Sequence, residues 1–232
     1  MRSVGALAMG VAGARCAGAD PHSDKGPPVV AWPAPADVAC ILTPEQVEGP
    51  FFVDTGLERS DITEGRPGVM LHLRLTLVDV DTCSLIEGAV FELWHADADG
   101  SYSGFNRAHG NVSDSAGSTF LRGYQRTDRS GGVEFTTIYP GWYPGRAPHV
   151  HLAILAQGDR LVTTQLYFDE AQSDLVYQQE PYAARGAADT SNADDVISRV
   201  GGAAGPAPLL LDASEIDGGY EARFVVGFAG AS

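Results

Sequence analysis

The sequence predicts an all-β chain, an antiparallel β-sandwich with short helices and long loops, and three observations lead there. The 232 residues include 28 glycines and 14 prolines alongside 44% hydrophobic residues, a composition of frequent turns around an apolar core. Val69, Leu71, Leu73, Leu75 and Leu77 alternate with His72, Arg74 and Thr76, the period of a strand buried on one face. Further apolar and β-branched runs recur between Gly/Asp turns, with no strong helical period and no internal repeat.

Taken in order, residues 1–19 read as a short secretory signal. Arg2 precedes an apolar, small-residue segment from Val4 to Ala14, and small-x-small patterns follow at Ala12-Gly13-Ala14 and Ala17-Gly18-Ala19. The competing reading is an Ala/Gly-rich tail. Residues 20–37 are Pro-rich and polar with no period, a flexible leader. The β-sandwich domain is then expected over 38–232. Within it the strand from Val69 reaches a turn at Asp79-Val80-Asp81-Thr82, and "GAVFELWHA" forms the next strand, ending at the turn Asp97-Ala98-Asp99-Gly100. Strands are predicted at "GVEFTTI", "HVHLAIL", "LVTTQLYF" and "YEARFVVGF", and short helices in the polar stretch "DEAQSDLVYQQEPYAARGAADTSNADDVISRV".

A net charge of −15 argues against nucleic acid, which is bound by basic surface, and against anionic membranes. No apolar run has the length of a membrane-spanning helix. Cys16 falls in the segment a signal peptidase would remove, which leaves Cys40 and Cys83 as an even pair. Export would join them, and two buried thiols are the alternative.

The chemistry concentrates in "PGWYPGRAPHVHL", residues 140–152. Two Pro-Gly turns lead into a strand that places His149 and His151 on one face and Val150 and Leu152 on the other. His-x-His is a weak motif alone, since two hydrogen-bonded or solvated imidazoles also explain it. Tyr143, six residues upstream across a turn, reaches toward the same face, and Tyr102 follows the "DADG" turn at the end of another strand. Ionising a tyrosine at neutral pH costs roughly 4 kcal/mol, so two phenolates demand a strong positive charge. A hard ferric ion, which also accepts imidazole, meets that demand better than zinc, which more often recruits Cys or carboxylate. His22, His72 and His109 read as leader, polar-face and loop residues, and His95 as packed or hydrogen-bonded, with contact to the site as the alternative. Asp97 and Asp99 read as a solvated turn, because no EF-hand spacing follows them.

"ELWHADADGSYSG", "FTTIYPGWYPGRAPHVHLAI" and "TTQLYFDE", with "CILTPEQVEGPFFVD" ahead of them, together resemble the intradiol ring-cleavage dioxygenases, and most closely the secreted, single-domain branch of that family. The likeness runs from about Cys40 to about Val196. It implies a non-haem Fe(III) cofactor held by Tyr102, Tyr143, His149 and His151, with a catecholic small molecule and O2 as reactants and a cis,cis-muconate-type diacid as product. It further implies catalytic roles for Tyr143, a base that receives a catechol proton, for Arg146, which stabilises charge on the attacked ring, and for Gln165 behind the ligands. No helical region of the kind that dimerises the cytosolic catechol enzymes is read ahead of these motifs, so monomer and homodimer both stand, and the short tyrosine-to-histidine gap leaves the pocket shape open. The charge favours neutral rings unless arginines such as Arg107 or Arg122 line the pocket. A non-catalytic transthyretin-like or adhesion-type β-sandwich fits the strand rhythm as well, but gives no reason for Tyr143, Arg146, His149 and His151 to arrive together.

Overall fold

Leu71, Leu73, Leu75 and Leu77 are all fully buried, so the alternating run becomes a strand with one face in the core: β1, Met70–Asp79. The structure is a computed structural model that describes residues 40–156, 158–199 and 209–230. The expected signal at 1–19 and leader at 20–37 lie outside them. After β1 come β2 (Ser84–Leu85), β3 (Val90–Trp94), β4 (Arg122–Arg126), β5 (Gly132–Ile138), β6 (His149–Ala156) and β7 (Asp159–Tyr167). Helix α1 (Glu170–Val176) then precedes β8 (Asp212–Ile216) and β9 (Gly219–Phe228). Asp169 caps α1 by accepting from the Gln172 amide at 3.1 Å. Single 3₁₀ turns lie at Arg107–His109 and Tyr182–Ala184. Among the described residues no helix is long and apolar enough to cross a membrane.

Two sheets form. One runs β2-β1-β9-β8, with β5 also paired to β1, and the other runs β4-β3-β6-β7. The inward faces share one core, Leu73 and Phe135 from the first sheet with Phe91, Leu93, Val150 and Leu152 from the second. The expected antiparallel pairing holds in the second sheet throughout, but β1 and β9 run parallel in the first. Antiparallel neighbours are usually joined by a hairpin, whereas β9 returns to β1 from the far end of the chain and is free of that constraint. Three strands carry no clean apolar alternation. The two-residue β2 and the short β8 lie at sheet edges and are largely exposed, and β4 is the edge strand "RGYQR".

Cys40 and Cys83 are disulfide-bonded, with Cα atoms 5.6 Å apart. From that anchor the chain runs as a strap along β7. Thr43 N–H donates to Gly227 O at 2.8 Å, Gln46 N–H to Thr163 O at 2.8 Å, and the Thr164 hydroxyl to Pro44 O at 2.9 Å. The strap thereby reaches the outer face of the second sheet, where His149 and His151 point.

Candidate metal centre

Strand β6 divides its side chains as its alternation requires. Val150 and Leu152 enter the core, and His149 and His151 leave it on the other face, both buried. In register beside them, Tyr167 of β7 sits opposite His149, and Trp94 of β3 and Gln165 of β7 flank His151. The His149 Nδ1 lies 2.6 Å from Ala147 O. A carbonyl can only accept, so Nδ1 carries the hydrogen and Nε2 presents a bare lone pair. That one atom lies 3.1 Å from His151 Nε2, 3.2 Å from Tyr143 Oη and 3.4 Å from Tyr102 Oη. The four residues expected as ligands from the sequence are therefore brought together.

The candidate ligands are held from behind. The ring of His151 stacks on Trp94 with centroids 5.0 Å apart, and its Nδ1 is buried with no hydrogen-bond partner among the described residues. On its other side the strap passes at Gly49, whose φ is +79° and where a Cβ would sit 3.2 Å from His151 Cε1. Tyr102 is clamped by Asn111, which accepts from its backbone N–H and donates to its carbonyl, each at 2.8 Å. Phe51 stacks on the Tyr102 ring at 4.5 Å. Tyr143 Oη receives Arg146 Nη1 at 3.1 Å, and the same guanidinium donates through Nη2 to Gln165 Oε1. Gln165 in turn donates to Val47 O of the strap at 2.9 Å. Arg146 and Gln165 thus stand where the sequence reading expects them, beside the ligands.

The electrostatics suit a cation. Burial above all, with the Arg146 charge adding to it, holds His149 well below the usual imidazole range, and burial followed by His149 does the same for His151. Both rings are neutral and free to coordinate. Burial pushes the Tyr102 phenol well above its ordinary range, and that of Tyr143 upward too, with Arg146 pulling the latter back. Without a positive ion both phenols keep their protons, so the donor set is complete only around a strongly charged metal. Two phenol oxygens and two imidazole nitrogens are the donors a ferric ion accepts, and Tyr102 Oη, Tyr143 Oη, His149 Nε2 and His151 Nε2 would hold it.

Two expectations meet the geometry differently. His95 is fully buried with its ring nitrogens at 2.8 Å from Ala96 O and 2.7 Å from Thr137 Oγ1, a hydrogen-bonded core residue as expected. Asp97 is not a solvated residue. It is 1% exposed, pairs with Arg66, and accepts from the Asp99 and Ser101 amides at 3.0 and 2.9 Å. Its carboxylate organises the turn that delivers Tyr102, and the turn signal could not reveal that Arg66, 31 residues away, covers it. Arg122 is buried with its guanidinium carbon 6.0 Å from the Tyr102 ring centroid, while Arg107 is exposed. The sequence reading assigned no role to Phe51, which lies within the quoted "CILTPEQVEGPFFVD", and missed Asn111 and Asp195, which belong to no local motif.

This fold is that of an intradiol ring-cleaving enzyme family. A family model described as Dioxygenase matches residues 47–186, and the chain belongs to the intradiol ring-cleavage dioxygenase family. It is similar to the solved intradiol ring-cleavage dioxygenase from Tetranychus urticae, with 33% identity and a TM-score of 0.73 over 82% of this chain and 95% of that one. It is also 29% identical over 147 residues to a chlorocatechol 1,2-dioxygenase of Cupriavidus pinatubonensis, covering 53% of each chain. With catechol 1,2-dioxygenase 1 of Acinetobacter lwoffii it shares 29% identity over 167 residues, 62% of this chain and 51% of that protein. The chain spans about half the length of these curated relatives.

Proposed function

We propose that this protein is an Fe(III)-dependent intradiol dioxygenase that opens catechol-type rings with O2 to cis,cis-muconate-type diacids. The observation that carries the reading is the meeting of Tyr102 Oη, Tyr143 Oη and His151 Nε2 within 3.4 Å of the bare lone pair of His149. When bound, the ferric ion supplies the Lewis-acid and redox chemistry that makes a catechol dianion reactive toward O2.

The chain's own groups do the rest. Tyr143 is half-buried where Tyr102 is fully buried, so its phenol oxygen is the base placed to take a proton from an entering catechol. Arg146 Nη1 faces that oxygen and stabilises negative charge developing beside it. Gln165 holds the guanidinium from behind. Phe51, Trp94 and Tyr102, with Phe52 and Phe105 against them, make an aromatic surround that keeps bulk water out and accepts the face of a planar ring. Neutral catechols suit a chain of net charge −15 better than carboxylated ones. Export to an oxidising compartment is the location we infer, supported by the N-terminal pattern and by the Cys40–Cys83 pairing.

The test is optical. Protein purified with iron is expected to be red-brown from tyrosinate-to-metal charge transfer, and anaerobic catechol is expected to shift the band. A colourless protein with a full complement of zinc and no affinity for iron would overturn the reading.

A further inference from the structure

We infer that Asp195 is a positioning residue for the ring-opening reaction, a buried carboxylate that aims Arg146 and fixes the backbone behind His149. The inference rests on the proposed function for its catalytic meaning and on geometry alone for its structural content. Asp195 is fully buried and lies beyond residues 47–186, the stretch matched by the family model. A single oxygen, Oδ2, accepts from Arg146 Nε at 2.9 Å and from the Ala147 amide at 2.8 Å. The other, Oδ1, accepts from the Ile197 and Ser198 amides at 2.8 and 3.2 Å, which fixes the carboxylate in its loop.

Both arms lead to the candidate metal centre. The guanidinium is planar, so a bond at Nε sets the direction of both terminal nitrogens. With Nε on Asp195, Nη1 points at Tyr143 Oη, and Nη2 at Gln165 Oε1 and, at 3.4 Å, at Tyr167 Oη. The second arm holds Ala147, the residue whose carbonyl takes the His149 Nδ1 hydrogen and so keeps Nε2 bare. Arg146 is mostly buried, at 14% side-chain exposure, and Asp195 is its carboxylate partner there. An Asn in its place would keep the shape but turn an N–H toward two donors.

The experiment compares Asp195→Asn, Arg146→Gln and the double variant. Asp195→Asn is expected to bind iron and to lose about 10- to 100-fold in kcat for catechol, with KM little changed. In the Arg146→Gln background the same substitution is expected to cost clearly less than in wild type, because the arm through Arg146 is already lost and only the arm through Ala147 remains. Equal losses in both backgrounds, or a normal kcat in Asp195→Asn, would overturn the inference. Side-chain NMR of the metal-free full chain gives a readout free of catalysis and of any change at Asp195. The Arg146 Nε–H resonance, assigned by its absence in Arg146→Lys, is expected to be downfield and slow to exchange with water. An Arg146 Nε–H in fast exchange in the wild-type protein would sink the inference on its own. If wild-type protein fails to cleave any catechol but shows the protected resonance, the functional reading falls and the positioning geometry stands.

Discussion

The two phenols at the centre have the same chemistry and different freedom. Tyr102 is 1% exposed, clamped at both backbone polar groups by Asn111 and covered by Phe51, whereas Tyr143 sits on the Pro-Gly loop, half-buried and tethered at its oxygen by Arg146. Tyr143 is thus the one able to yield its position to substrate. Tyr143→Phe is expected to retain some iron and to form a nearly normal anaerobic catechol complex, but slowly, while Tyr102→Phe disturbs the spectrum with and without catechol. His149→Ala or His151→Ala is expected to lose the metal. Rapid-mixing absorbance without oxygen separates these outcomes, and the reverse pattern for the two tyrosines would exchange their roles. His95 makes a different prediction. Burial first of all lowers its pKa from 6.5 to about 4, so the unfolded chain takes up a proton in that interval and the folded one does not. Its contribution is complete above pH 6.5 and is lost as pH falls toward 4, a change on the order of 3 kcal/mol. Glu92, raised to about 7 chiefly by burial, acts in the opposite sense. The observable is therefore a signed difference between proteins: stability at pH 7 minus stability at pH 5, from denaturant melts, is expected to be more positive for wild type than for His95→Gln, in which Glu92 is left unopposed. An equal signed difference in the two would show that His95 is not buried neutral.

Among the elements, those that bury an apolar face were legible in the sequence, and β2, β4 and β8, which carry no such face, were not. β1, β5, β6, β7 and β9 each place side chains in the shared core, and that burial is what writes a period of two into the residues. β8 and the two-residue β2 are exposed edges, and β4 alternates nothing apolar, so only their partners identify them. The site divides the same way. Tyr143, Arg146, His149 and His151 lie within nine residues of chain and could be read together, whereas Asp195 reaches its partners across 48 and 49 residues and Arg66 covers Asp97 across 31. The strap is the element where sequence and site meet most closely. Gly49→Ala puts a side chain at φ +79° and 3.2 Å from His151, and is expected to destabilise by about 1–2 kcal/mol and to perturb the visible band. A variant as stable and as coloured as wild type would mean the strap can move aside freely. At the strap's root, Cys83→Ser opens a link spanning 43 residues and is expected to cost roughly 2–4 kcal/mol, checked by denaturant melts of oxidised wild type against the variant.

For the whole molecule, the sandwich supplies a rigid second sheet whose inner face is core and whose outer face, at one end, carries two imidazoles under an aromatic cover. Loops from four other stretches, residues 46–52, 97–111, 140–147 and 192–198, bring the remaining groups to it. The sheet supports the fold, which transthyretin-like modules could share, while the proposed chemistry would rest on Tyr102, Tyr143, Arg146, His149 and His151 at its loop-covered end. The central claim is that this arrangement cleaves between the two catechol hydroxyls. Turnover of catechol by the iron-loaded protein under oxygen-18 gas, with mass spectrometry of the product, tests it most directly. One labelled atom in each new carboxyl of a muconate-type diacid is the predicted result, and an extradiol semialdehyde, or no ring cleavage by protein with iron bound, would contradict it.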